Sequence, residues 1–434
     1  MGKKTLLEFF GVEKGNIKKN VKFNYEVFGN SLLINNAQKK IIQKLIDLNV
    51  TPNSYNEAEI QKLINEFNVS DIEKSYLRHM VDNEVNGFGP LTDLINNDDI
   101  SQIMVNGPQQ VFVELDGKII KDDNVGFLNR EHIRQVLIRL LEPLDKKLED
   151  LEAAFKVELL NKMKLSVIMP PITKDGPVFT IRKNPNIKID IEELLRLGTL
   201  TPYMARFLEA AVLAKLNIII CGTSGSGKTT LLNALSYLVD ESERLIVIDN
   251  NNELNIKTPN VVMLESDTQL TNITVNDLVS YSLNLRPDRL IIGELKGKET
   301  FQVMNALNTG IEGLITTMYA GSVSDALNRL ETLILMDGIE TSKLVIRNYI
   351  MNNIDLIVHI DRLSDGRRKV VNISEILAVS QEGIRVQEIF AFHKKGLINN
   401  NQVHGEFILF KYLPKTYEKI KAKGINTIKD IFSV

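Results

Sequence analysis

The run Gly222, Thr223, Ser224, Gly225, Ser226, Gly227, Lys228 and Thr229 matches the pattern G-x-x-x-x-G-K-[ST]. Each residue type in it suits a bound phosphate chain. Glycines let the backbone wrap tightly enough for successive N–H groups to point inward. A helix beginning at Lys228 adds the positive end of its dipole. Lys228 brings a mobile ammonium for the β- and γ-phosphates. Thr229 brings a hydroxyl for Mg²⁺, and Thr230 follows it in the first helical turn. The chemistry expected here is binding of ATP with Mg²⁺.

Hydrolysis needs in addition a group that orients or deprotonates water. From Arg286 the chain runs through Leu290, Ile291, Ile292 and Gly293 to Glu294. An apolar strand that delivers an acid at its carboxyl end beside a phosphate loop makes Glu294 the expected catalytic carboxylate. Gly293 stands where many phosphate-loop enzymes keep an Mg²⁺-binding Asp, which leaves the metal to Thr229, phosphate and water. A second apolar run, Leu245 to Ile248, leads to Asp249 and then Glu253. These are candidate second carboxylates, with a plain turn residue an equal reading of Asp249. Thr316 and Thr317 end another apolar run and are candidate γ-phosphate sensors. Cys221, in the apolar stretch before the loop, reads as an inert core thiol.

Elements able to hold these groups are visible in the pattern. From Leu200 onward strand-like runs (Asn217–Cys221, Leu245–Ile248, Val261–Leu264, Leu290–Ile292, Leu314–Met318) alternate with helical ones. Such alternation predicts a mainly parallel sheet with helices on both faces. Thr274 with Asp277 and Ser322 with Asp325 resemble capping boxes, and Gly310 and Gly338 punctuate helix ends. Beyond Asn353 hairpins are expected, turning at Asp365-Gly366 and at Asn399 to Gln402, before a last helix near Tyr417 to Lys423. Upstream, helical spacing over residues 31–95 (Ile41, Ile42, Leu45, Ile60, Ile64) gives way to an α+β unit over 96–184. In that unit a helix from Arg130 to about Leu151 and strands near Ser166–Met169 and Val178–Arg182 are expected. Residues 1–30 read as a mobile basic arm, 185–200 as a linker, and 201–434 as the nucleotide-binding domain with its hairpins.

Composition bounds the alternatives. The 434 residues are 44% hydrophobic and 25% charged, enough for two or three packed domains. A net charge of -3 and the absence of aromatic-interleaved basic stretches argue against nucleic acid as partner. One cysteine excludes a disulfide framework or a four-cysteine zinc site. The five histidines fall at no metal-ligand spacing. With no apolar run approaching the ~20 residues that span a bilayer, a soluble, cytoplasmic protein is expected.

Taken in order, Gly87–Leu91, Ile103–Gly107, Pro170-Pro171, Asp175–Pro177, Thr180–Lys183, Leu200–Pro202, the phosphate loop, Arg286–Asp288, Gly293-Glu294, Leu307–Gly310 and Asp325–Glu331 resemble the type II/IV secretion traffic ATPases. The likeness is to the tight-adherence (Tad/Flp, CpaF-like) pilus branch in particular. The resemblance implies a RecA-like core behind an N-terminal regulatory domain, with ATP bound between the two and Arg182 reaching the nucleotide. It also implies a homo-hexameric ring and docking on an inner-membrane platform protein, so that association with the membrane is peripheral. Several positions depart from the family pattern. Asp249-Asn250 replaces Glu-Asp, Tyr319 replaces a sensor His, Asp267 and Lys296 replace Arg, and Asn161 to Lys164 replaces an Asp-Gly-Ser-Arg turn. Arg182, Arg286, Arg289 and Arg329 remain as candidate phosphate or inter-subunit contacts. A motor is the first reading. A nucleotide-binding paralogue with little turnover, acting as a structural ring subunit, is the alternative.

Overall fold

The computed structural model describes residues 32–47, 57–115, 117–159, 162–183, 189–250, 253–266, 272–338, 341–398, 402–426 and 428–432. The arm over 1–30, Asp267, Asn161 and the turn at Asn399 lie outside the described residues. The chain forms two compact units, residues 1–186 and 187–434.

The first unit opens with α1 (Leu32–Asp47), α2 (Glu57–Asn65) and α3 (Asp71–Asn86). Ile41, Ile42, Leu45, Ile64, Leu77 and Val81 close over one another as a small helical core. Ser70 and Glu73 start α3 with a full capping box. After α4 (Thr92–Asn96) come β1 (Ile100–Gly107), β2 (Gln110–Leu115), β3 (Lys118–Lys121), α5 (Arg130–Leu141), β4 (Ala154–Glu158), β5 (Lys164–Ile168) and β6 (Val178–Arg182). The six strands make an antiparallel sheet in the order β3-β2-β1-β6-β5-β4, with α5 among the elements closing its core. The helix expected to reach Leu151 stops at Leu141. Pro143 has no N–H to continue it, and short 3₁₀ turns at Glu142–Leu144 and Leu148–Asp150 follow. Strand β4, which fills the rest of that stretch, was not legible because only Phe155 and Val157 mark an inward face.

The second unit begins with α6 (Ile191–Arg196) where a linker was expected. Asp190 caps this helix by accepting from Glu193 N–H. Then follow α7 (Pro202–Leu213), β7 (Ile218–Gly222), α8 (Lys228–Ser236), β8 (Leu245–Ile248), β9 (Val261–Leu264), α9 (Val275–Leu283), β10 (Arg289–Leu295), α10 (Glu299–Asn308), β11 (Ile315–Tyr319), α11 (Val323–Leu335) and α12 (Lys343–Asn353). The chain ends in β12 (Leu356–Arg362), β13 (Arg368–Val379), β14 (Ile384–Ile398), β15 (Gln402–Leu409) and α13 (Thr416–Ala422). The nine strands form one sheet, β15-β14-β13-β12-β7-β11-β10-β8-β9. From β12 to β9 all pairings are parallel; β13, β14 and β15 extend it antiparallel. This is a RecA-like α/β core.

Alternation along β7 shows why its strands are apolar throughout. Ile218 and Ile220 face the core formed with α7 and α8, while Ile219 and Cys221 face that formed with α9 to α12. Thr274 and Asp277 make a reciprocal capping box. At α11, Ser322 accepts from Asp325 N–H, but the Asp325 carboxylate accepts from Gly321 instead, so only half the expected box forms.

The first hairpin, β12–β13, is pinned by Asp365. Its carboxylate accepts from Arg367 Nε (2.8 Å), Arg367 Nη2 (2.6 Å) and Val403 N–H (2.7 Å). Burial opposes the charge, but the Arg367 hydrogen bonds and the backbone N–H groups of Val403 and Arg367 outweigh it and hold the Asp365 pKa at about 2. A folded-state value below the unfolded one stabilises the fold above the ordinary carboxyl range, and the gain disappears as pH falls through the folded value. An acid titration of the melting temperature should therefore lose stability between pH ~4 and ~2. Asp365→Asn should flatten that limb, and an unchanged limb would remove Asp365 from the account.

Candidate functional site

Strand β7 ends at Gly222 and α8 starts at Lys228, so the glycine-rich run is the turn between a central strand and a helix. Gly225 and Gly227 lie at φ +71 and +99, a region closed to most side chains. Gly227 is the residue at which α8 begins, and no side chain caps the helix there. The N–H groups of its first turn have no side-chain cap, an arrangement that suits an anion. Lys228 Nζ donates to Thr223 O at 2.9 Å, and Ser226 N–H donates to the same oxygen at 3.3 Å. The loop thus satisfies its cation and one amide with its own carbonyl. The Ser226 hydroxyl is fully buried and has no hydrogen-bond partner among the described residues, a polar group still to be satisfied. These are the features of a phosphate cradle.

The acids gather on the same edge of the sheet. Glu253 Oε2 accepts from Thr229 Oγ1 at 3.0 Å, which sets two hard oxygen donors side by side. That donor set suits Mg²⁺. Asp249, 4% exposed, spends one carboxylate oxygen on the N–H groups of Glu253 and Leu254, both at 2.8 Å. These two bonds fix the start of the segment that carries Glu253. Asn250 donates to Ser266 Oγ and accepts from Ser266 N–H, tying the ends of β8 and β9 together. A carboxylate could not donate the first of these bonds.

Glu294 sits near the end of β10, where the pairing with β11 shifts register between Ile292 and Leu295. A bulge there re-aims a side chain, and here it falls at the acid. Glu294 lines a cleft with Asp249, Asn250, Lys296 and Glu299. Glu299 accepts from the N–H groups of Lys296 and Gly297 (both 2.8 Å) and so shapes the turn that follows Glu294. Gly293 also has a steric reason. A Cβ there would approach Asp249 Oδ1 to 2.8 Å, so the space a metal-binding Asp would need is taken by Asp249.

Other expectations change. Thr316 and Thr317 are buried; the Thr317 hydroxyl donates to Gly293 O at 2.6 Å and ties β11 to β10, while the Thr316 hydroxyl turns to the Thr317 carbonyl of its own strand. Tyr319 is the exposed group at that strand end. Lys228 Nζ lies 5.4 Å and the Arg329 guanidinium 5.9 Å from its ring centroid. Arg289 is fully buried and bonds Glu243 and the Val212 carbonyl, which makes it a core residue. Arg286 lines a cavity of about 410 Å³ formed by residues preceding β7, β10 and β11, at the sheet edge opposite the phosphate loop. Arg182 ends β6 in the first unit. Cys221 is buried and its thiol pKa is pushed up to about 12, above all by burial, as expected of an inert thiol.

Two residues beside the loop were missed. Arg368 Nε donates to Gly225 O at 3.1 Å, and Arg362 stands directly opposite Arg368 across the hairpin. They lie well over a hundred residues downstream of the loop, and no sequence pattern links them to it.

A RecA-like sheet, a glycine-rich strand-to-helix turn with Lys228 and Thr229, and a bulged strand end presenting Glu294 define a P-loop ATPase. The model of the family described as type II/IV secretion system protein matches residues 84–373. The chain belongs to that family. Conjugal transfer protein TrbB of Rhizobium radiobacter is 30% identical over 62% of this chain and 81% of its own length. Type IV secretion system protein VirB11 of Bartonella quintana is 28% identical over 65% of this chain and 90% of its own. Among solved structures, the VirB11 ATPase of the Brucella suis type IV secretion system aligns over 66% of this chain and 95% of that one, at 25% identity and TM-score 0.37. Among the described residues no helix is long and apolar enough to cross a membrane.

Proposed function

We propose that the chain is the ATP-hydrolysing motor of a secretion or pilus-assembly system of the Tad/Flp kind. The observation that carries this is the Gly222–Thr229 turn, with Lys228 and Ser226 N–H both resting on Thr223 O, inside a chain of the secretion family. Triphosphate displaces that carbonyl and takes the ammonium and the helix-terminal amides in its place. Thr229 and Glu253 would hold Mg²⁺, which supplies positive charge for the β- and γ-phosphate oxygens. Glu294 orients and deprotonates the attacking water, and Asp249 keeps Glu253 in place. Hydrolysis changes how the two units dock, and a ring of six such chains passes that motion to an inner-membrane platform protein to polymerise pilin or export substrate. Relatives named for conjugal transfer and for type IV secretion support this setting.

The test is binding of a fluorescent ATP analogue, with light scattering to size the protein with and without nucleotide. Lys228→Ala should weaken the analogue by about 30-fold, the loss of one charged partner in a prepared site. Equal affinity for variant and wild type would put the nucleotide elsewhere and end the proposal. A mass that stays below six chains with nucleotide present would end the ring.

A further inference from the structure

The hairpin between β12 and β13 brings two guanidinium groups to the phosphate loop. β12 pairs with β7, the strand that feeds the loop, from Leu356 opposite Ile218 to His359 opposite Cys221. Continuing past the end of β7, β12 reaches Arg362 beside the loop itself. A Cβ on Gly225 would stand 3.5 Å from Arg362 Nη1, and one on Gly227 would stand 3.1 Å from Arg368 Cδ. Arg368 Nε already holds the Gly225 carbonyl. Arg362 and Arg368 are cross-strand partners in the register. Asp365 and Arg367 hold the turn closed, so the pair is presented on a fixed support.

We infer that Arg362 and Arg368 are a second cationic contact for the polyphosphate of the bound nucleotide, supplied by the same chain on the side of the loop away from Glu294. The inference rests on the nucleotide site proposed above and adds these two residues to it. A guanidinium fork matches phosphate oxygens in pairs, which an ammonium cannot do. Arg368 also positions the loop through Gly225, so its loss acts on the loop's shape and its charge together.

The test is titration of the full chain with fluorescent ATP analogue, competed by inorganic tripolyphosphate and by adenosine, at two salt concentrations. Arg362→Gln and Arg368→Gln should each weaken the ATP analogue and tripolyphosphate by about tenfold and leave adenosine unchanged. The double variant should also bind with a shallower dependence on salt. Arg362→Lys with Arg368→Lys keeps both charges and both aliphatic stems but loses the forks, and should weaken tripolyphosphate by about fivefold at an unchanged melting temperature. Wild-type affinity in the Gln variants, with Lys228→Ala still impaired, would overturn this inference alone. Wild-type affinity in Lys228→Ala as well would overturn the nucleotide site. If the Gln variants unfold, the Lys pair decides: tripolyphosphate affinity weakened without a fall in melting temperature supports the fork, and affinity unchanged, or lost only in step with melting, overturns it.

Discussion

Glu294→Gln is expected to lower steady-state phosphate release by about 100-fold or more and to leave ATP affinity within about twofold of wild type. The amide fills the same space at the bulged end of β10 but cannot take a proton from water. Its neighbours in the cleft are not disturbed, because the hydrogen bonds shaping the next turn are made by Glu299 and the bond from β11 goes to the Gly293 carbonyl. In the proposed site affinity comes from the loop and from α8, at the end of another strand. The split between rate and binding is therefore the diagnostic result. If Gln and Glu released phosphate at the same rate, the chain would be a nucleotide-holding ring subunit without turnover, as the substitutions at Asp249, Asn250 and Tyr319 suggested. If binding fell along with rate, Glu294 would be a structural anchor for the site.

Arg289→Ala is expected to cost about 3 kcal/mol of stability and to spare nucleotide affinity. Among the described residues Arg289 is the bulkiest fully buried side chain. Its guanidinium bonds Glu243 at 2.9 and 3.1 Å and the Val212 carbonyl at 3.0 Å. Removal leaves Glu243 with Lys215 at 3.2 Å but deprives a partly buried carboxylate of its two-point partner and opens a cavity in the core. Chemical denaturation measures the loss. The motif Arg286–Arg289 suggested phosphate contacts, so a variant that kept wild-type stability and lost ATP affinity would restore that reading.

Much of the architecture could be read because the physics is local. Strands β8 and β9 have the limits their apolar runs indicate, and β7, β10 and β11 differ at their ends by a few residues. Buried parallel strands need apolar side chains on both faces, and such runs stand out between helices. The capping box at Thr274 and Asp277 and the turn at Asp365-Gly366 are likewise local signals, decided within four residues. The end of α5 was misread because Leu144, Leu148 and Leu151 keep a helical spacing beyond Pro143. Burial, which can fill such positions from a 3₁₀ turn as well, outweighed periodicity there.

By itself the sequence determined the class of chemistry. Two glycines, a lysine and a threonine at fixed spacing can form a phosphate turn wherever a strand meets a helix, and an acid after an apolar run is carried to a strand end. Tertiary structure decided what each charged side chain does there. Asp249 holds the Glu253 segment by accepting backbone N–H groups of its own loop. Thr317 became a lock between strands, Arg289 went into the core, and Arg362 and Arg368 arrived at the loop from a distant hairpin. A charge acts through what lies within a few ångströms of it, and the packing of β12 against β7 sets those neighbours across a long stretch of chain.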